Sequence, residues 1–182
     1  MIVGTTVGDE RGLSDLAEFS HGLDVLTFDH EHVPTAHLQT LQSQGVVVRP
    51  GPGALPDATD KGVMRRGRAA AGVPVPRFAV IDAVAALDAA VDAVGGWPVV
   101  VKTTRGGYDG RGVWVAAGAD DAAPAFAARV PVLVEEKVAF VRELAAVVAR
   151  SPSGQAVAYP VVESVQSDGI CVEVLAPAPG LD

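Results

Sequence analysis

A lysine at the end of an apolar run, followed by four glycines in seven residues, is the strongest chemical signal in the chain: Val99-Val100-Val101-Lys102-Thr103-Thr104-Arg105-Gly106-Gly107-Tyr108-Asp109-Gly110-Arg111-Gly112. Glycines let a backbone turn through positive φ and bring its N–H groups close to an anion. A lysine closing the preceding strand adds a point charge suited to phosphate. By itself the pattern also fits a flexible hairpin. Neither the P-loop sequence nor the dinucleotide fingerprint occurs here, so these two phosphate-loop classes are disfavoured.

Downstream, Val132-Leu133-Val134-Glu135-Glu136-Lys137-Val138 is an apolar strand running into charge, and Phe140-Val141-Arg142-Glu143-Leu144 follows it. Upstream, Asp29-His30-Glu31-His32 invites a metal reading, because imidazoles two apart on an extended segment share a side. No HExxH helix or cysteine pair supports that reading, and a loop histidine is more often a surface donor. Cys171 is the single cysteine, so no internal disulfide can form, and its apolar surroundings suggest a small core residue in a cytoplasmic protein.

The bulk numbers restrict the setting. Hydrophobic residues make up 49% of the 182 positions and charged residues 20%, as in folded soluble chains. No apolar run approaches the roughly 20 residues of a membrane span, and no signal peptide leads the chain. A net charge of −8 argues against a nucleic-acid surface. Yet Lys61, Arg65, Arg66, Arg68, Arg77, Lys102, Arg105 and Arg111 are concentrated centrally, which suits a local anion pocket in an acidic protein.

The elements that must position these residues begin with a helix capped by Ser14, a strand at 24–28, a helix from Thr35 to Gln44 stopped by Gly45, and a strand at 46–48. Two parallel strands are too few for a sheet buried on both faces, so residues 1–56 read as a partial α/β domain needing neighbours. A helix capped at Thr59 or Asp60 runs to about Ala71, and residues 57–81 read as a linker ending in rigid Val73-Pro74-Val75-Pro76. Asp82 caps a helix whose stripe is Val84, Leu87, Val91 and Val94, stopped by Gly95-Gly96. Strands at 98–103, 113–115 and 132–134 with a helix near 120–129 make a small α+β lobe over 82–135. From 136 to 182, strands at 144–150, 157–162 and 170–175 suggest an antiparallel meander.

Taken together, the lysine strand, the glycine loop and the 132–144 segment resemble the ATP-grasp superfamily. Gly106 to Gly112, Arg142-Glu143-Leu144, Tyr159-Pro160-Val161-Val162-Glu163 and Leu26-Thr27-Phe28-Asp29-His30-Glu31-His32-Val33-Pro34 resemble, within it, the N5-carboxyaminoimidazole ribonucleotide synthase family. Matches in order along nearly the whole chain are far more specific than one glycine loop. The fold class implied is α/β and α+β, an incomplete ATP-grasp fold preceded by a partial α/β domain. The activity implied is an ATP-dependent carbon–nitrogen ligase of purine biosynthesis. ATP phosphorylates bicarbonate to carboxyphosphate, and the carboxyl group passes to the exocyclic amine of aminoimidazole ribonucleotide.

By the resemblance, Lys102 contacts the ATP phosphates, Lys61 also faces the nucleotide, and Gly107, Tyr108, Asp109, Gly110, Arg111, Gly112 and Val113 form the loop over ATP. Lys102, Asp109 and Arg111 are the candidate catalytic residues. Glu135, Glu136, Lys137 and Val138 frame adenine, mainly through backbone, and Glu143 takes the ribose hydroxyls. Glu31, Tyr108 and Arg111 reach aminoimidazole ribonucleotide. ATP and Mg2+ are the implied cofactors, and the Glu/Asn pair that holds the metal in the family is expected beyond residue 182, so none of its ligands is assigned here. The family's first strand is likewise expected before residue 1, which makes the chain read as a fragment. The family commonly forms a homodimer. Gln166 stands where some relatives carry a nucleotide-contacting histidine; an amide can still hydrogen-bond but carries no cation near pH 7. Two other readings stay open: another ATP-grasp carboxylase or ligase, and a noncatalytic ATP-binding domain.

Overall fold

The computed structural model describes residues 4–107 and 110–181, in two compact units, one running to Val75 and the other from Pro76. Among the described residues no helix is long and apolar enough to cross a membrane.

In the first unit, α1 (Leu13–Ser20), α2 (Thr35–Ser43), α3 (Leu55–Thr59) and α4 (Lys61–Ala70) surround a core of Leu16, Leu26, Val33, Leu38, Leu41, Val48 and Leu55. The two expected strands reduce, among the described residues, to one parallel bridge between Leu26 and Val48. It is closed by the Leu26 N–H on the Val47 carbonyl at 2.8 Å and the Arg49 N–H on the Leu26 carbonyl at 2.9 Å. A parallel ladder gains little from a single pairing, so the segments are aligned without becoming a sheet. Ser14 lies inside α1 rather than at its cap, which is Gly12, and Pro34 precedes α2 where Thr35 was expected to cap. Asp60 does cap α4. Its carboxylate accepts from the N–H groups of Gly62 at 2.9 Å and Val63 at 3.0 Å, a geometry worth about 1 kcal/mol to a helix.

The second unit opens with a strand that the sequence reading missed. Residues 78–81, expected as the end of a linker, form β1 (Phe78–Ile81), which pairs antiparallel with β4 (Val132–Glu136). With β2 (Val99–Thr103) and β3 (Val113–Ala116) they make a four-stranded sheet in the order β1-β4-β2-β3. Leu87, Ala90, Val91 and Val94 of α5 (Leu87–Val94) pack with Val99, Val101, Val132 and Val134 in the core. Val84 is left out of that stripe. It sits in a short 3-10 turn and is 58% exposed, because α5 starts only at Leu87 and Asp82 does not cap it. The helix expected at 120–129 is one α-turn, α6 (Ala119–Ala122), running into a 3-10 segment at Ala123–Ala128, where Pro124 lacks the N–H an α-helix needs.

Beyond β4, the meander expected at 144–175 is divided between two sheets. β5 (Glu143–Ala145), β8 (Val162–Ser167) and β9 (Ile170–Leu175) form one, and β6 (Val148–Arg150) with β7 (Ala156–Ala158) forms a separate ribbon. Two of the three expected strands, 144–150 and 157–162, therefore break midway, while 170–175 is β9 as expected. Cys171 is exposed rather than a core residue, since β9 is exposed along nearly its whole length.

Candidate functional site

Period-two alternation decides which face Lys102 serves. Val99, Val101 and Thr103 of β2 are buried on the helix side, which sends Val100 and Lys102 to the other face. Across the antiparallel ladder Val100 opposes Glu135 and Lys102 opposes Leu133, so Lys102 and Glu135 are diagonal neighbours on that face. Lys102 Nζ lies 2.6 Å from Glu135 Oε2, with side-chain exposures of 23% and 3%. A carboxylate so deeply buried is tolerable because it is met by charge. The expectation for Glu135 was a backbone role beside adenine. Its side chain holds the lysine, a contact that the residue's position at a strand end did not reveal.

The glycine loop springs from the same strand. The Thr103 N–H donates to the Gly112 carbonyl at 3.0 Å, and Lys102 pairs with Val113 in β3, so the two ends of the loop are held together at its base. Gly107 and Gly112 have φ of +83° and +75°. A Cβ at Gly107 would run into the Arg111 carbonyl oxygen, and one at Gly112 would lie 2.7 Å from Thr103 Oγ1. These two glycines are thus required by space as well as by φ. Tyr108 and Asp109 lie outside the described residues. At the loop's far side, a Cβ on Gly110 would be 3.2 Å from the Asp168 carbonyl oxygen, so the Asp168-Gly169 turn joining β8 to β9 sits against the loop. Both turn residues have positive φ, 51° and 79°, as the Asp-Gly hairpin pattern favours.

Glu136 ends β4 and is held by Arg77. The Arg77 N–H donates to Glu136 Oε1 at 2.8 Å and Arg77 Nε to Oε2 at 2.7 Å. Hydrogen bonds from the Arg77 backbone, then from its side chain, hold the Glu136 carboxyl below its usual pKa. A carboxylate whose pKa is depressed on folding stabilises the fold above the ordinary carboxylate range of about 4.3, and that contribution fades as pH falls through the depressed value. The melting temperature of Glu136→Gln should therefore trail the parent most near neutral pH and converge with it in acid. A gap independent of pH would contradict the ion pair. Lys137 and Val138 follow as exposed residues after the strand.

On the other sheet Glu143 lies opposite Ser164 in the β5–β8 ladder and is exposed. Gln166 donates to Ser164 Oγ at 2.6 Å beside an irregularity in the β8–β9 pairing, so Glu143 lies across the ladder from the Ser164–Gln166 pair. Arg142 pairs with Glu163 at 3.4 Å and donates to the Pro179 carbonyl at 2.8 Å.

In the first unit, Lys61 is the first residue of α4 and Glu31 lies in the turn before α2. The neighbouring residues 27–30 border a cavity of about 420 Å³ whose rim also carries Asp9, Asp15 and Glu18. His30 and His32 have ring centroids 5.3 Å apart. Among the described residues no group of three or more His, Cys, Asp or Glu is arranged to hold a metal ion.

Residues 68–181 match the family described as an ATP-grasp domain. The N5-carboxyaminoimidazole ribonucleotide synthase of Mycobacterium bovis is 53% identical over 182 residues, covering 96% of this chain and 42% of its own length. The solved carboxyaminoimidazole ribonucleotide synthase of Aspergillus clavatus complexed with ATP superposes with a TM-score of 0.85 at 28% identity, over 96% of this chain and 46% of that one. The Aspergillus clavatus enzyme in complex with ADP and 5-aminoimidazole ribonucleotide gives a TM-score of 0.83 at 26% identity, over 96% and 46%. The chain spans less than half the length of these relatives.

Proposed function

Because the chain belongs to the ATP-grasp family, we propose that it carries the nucleotide-handling part of an ATP- and bicarbonate-dependent carboxylation of 5-aminoimidazole ribonucleotide to N5-carboxyaminoimidazole ribonucleotide. The observation that carries this reading is the largely buried charged pair of Lys102 and Glu135 beside the end of a strand that runs directly into the glycine loop. Relatives of that name, two of them solved with ATP or with ADP and the ribonucleotide, support it.

In this reading Lys102 meets the negative charge of the ATP phosphates, and backbone N–H groups of the loop from Gly107 to Val113 close over them. Glu135 to Val138 edge the adenine, Glu143 accepts from the ribose hydroxyls, and Gln166 gives a further polar contact. Lys61 adds charge to the nucleotide, while Glu31, Tyr108 and Arg111 hold the ribonucleotide. Asp109 and Arg111 act with Lys102 at the reacting groups. The γ-phosphoryl group passes to a bicarbonate oxygen with release of ADP. The exocyclic amine then attacks the carboxyl carbon, phosphate leaves, and the amine gives up a proton. Positioning and charge carry both steps, and a closed loop keeps water from the mixed anhydride. Mg2+ would supply positive charge to the phosphates when bound; among the described residues no group of three or more acidic or imidazole side chains is arranged to hold it, and no step depends on it. A cytoplasmic homodimer is the proposed setting.

Calorimetric titration of the chain with ATP in magnesium buffer, followed by phosphate release with bicarbonate and aminoimidazole ribonucleotide, tests the reading. Saturable ATP binding and phosphate release that needs both co-reactants is the expected result. Binding without turnover would make the chain a noncatalytic nucleotide-binding unit. Failure to bind ATP would remove the proposal altogether.

A further inference from the structure

We propose that Arg77 is a positioning residue for the adenine base, acting through Glu136 to set the backbone of the segment that the base would lie against. The inference rests on the nucleotide reading above and adds to it a residue outside the loop and the lysine strand.

Three hydrogen bonds join the same two residues. The Glu136 N–H donates to the Arg77 carbonyl at 3.0 Å, the Arg77 N–H to Oε1 at 2.8 Å, and Arg77 Nε to Oε2 at 2.7 Å. The regular β1–β4 pairing ends one step earlier, at Phe78 opposite Glu135. On the β2 side Glu136 pairs with Val99, so on the β1 side Arg77 alone holds this last residue of β4, and Lys137 and Val138 leave the ladder from it. Recognition of a base edge by backbone N–H and carbonyl groups needs those groups held to within a fraction of an ångström. Both oxygens of the Glu136 carboxylate are engaged by Arg77, which leaves the backbone beyond it as the natural surface for the base.

The guanidinium has its own seat. Gly95 closes α5 with φ of +109°, and a Cβ there would lie 2.5 Å from Arg77 Nη2 and 2.9 Å from Cζ. The glycine leaves room for the cation beside the carboxyl end of a helix, where positive charge is favoured. Helix end, arginine, strand end and base-binding segment thus form one mechanical series. The Arg77 side chain is 62% exposed, and exposed ion pairs contribute little to stability. A role in positioning is consequently separable from a role in folding.

Calorimetry on the full chain in magnesium buffer with three probes tests this: ADP, inosine diphosphate, which has a carbonyl where adenine has its amino group, and inorganic tripolyphosphate. The parent should prefer ADP to inosine diphosphate. Arg77→Ala should weaken ADP by about tenfold, erode that preference, and leave tripolyphosphate within about twofold. Arg77→Lys, which keeps the charge and the backbone donor, should recover part of the loss. Gly95→Ala, which displaces the guanidinium without removing it, should shift ADP in the same direction, and it serves if Arg77→Ala fails to fold. Unchanged ADP affinity in folded variants, or equal losses for ADP and tripolyphosphate, would overturn the proposal. A parent chain that binds tripolyphosphate but shows no preference for ADP would overturn it too, whereas a parent that binds none of the probes would instead remove the nucleotide reading beneath it.

Discussion

Lys102→Ala should lower ATP affinity, and should lower any ATP-dependent turnover by about a hundredfold or more, the scale on which losing one preorganised donor to developing charge acts. The same change should also lower stability. It takes away the ammonium group 2.6 Å from a carboxylate whose side chain is only 3% exposed. Removing one member of a buried pair costs about 3–5 kcal/mol in general. Because Lys102 is itself 23% exposed, water relieves part of that, and about 2–3 kcal/mol is expected here. The two effects separate in the double variant Lys102→Met, Glu135→Gln. A neutral pair of similar volume should regain most of the melting temperature, since a buried ion pair is often no more stabilising than a neutral replacement. It should not regain nucleotide affinity. Recovery of both would mean that Lys102 acts by supporting the sheet and never meets phosphate.

The second large effect is expected at the glycine loop. Gly107→Ala would set a methyl group against the Arg111 carbonyl oxygen while φ stays near +83°. The obstacle is backbone on the other side of the same hairpin, so it cannot swing away as a side chain could. Strain of this kind is worth about 1–3 kcal/mol, and the loop should open rather than bear it. ATP affinity should fall by about thirtyfold, with the melting temperature little changed because the loop adds no apolar core. Gly106→Ala is the matched control. Its φ is also positive, +69°, but a Cβ there meets no described heavy atom within 4 Å, so only the φ penalty applies. If the two variants bind ATP alike, the close approach at Gly107 is irrelevant to the site.

Much of the candidate site was readable from short-range patterns. The run from Val99 to Val115 announced a strand, a glycine-rich loop and a return strand because an apolar run and glycine spacing are local properties, and β2 and β3 follow them. The Asp60 cap and the Gly95-Gly96 stop were legible for the same reason. Errors appeared where an outcome depended on partners remote in sequence. Phe78–Ile81 is too short, and too close to prolines, to announce a strand. It becomes β1 because β4, more than fifty residues later, offers an edge. Residues 144–150 have the composition of one strand, yet Leu144 and Val148 answer to different neighbours in different sheets. Cys171 looked like a core residue from its apolar neighbours, but apolar composition states what a strand could cover and not whether anything covers it.

By itself, the sequence determined which groups are available: a lysine at a strand end, glycines able to adopt positive φ, acidic residues after β4, and family motifs in order. Those properties belong to single residues and to spacings of a few positions, where covalent geometry and side-chain chemistry suffice. Only the tertiary structure decided that Lys102 meets Glu135, that the Asp168-Gly169 turn rests on the glycine loop, and that Arg77 grips Glu136 beside Gly95. Each of these contacts joins segments separated by tens of residues, and their meeting depends on strand order and register, which result from packing the whole unit rather than from any local preference.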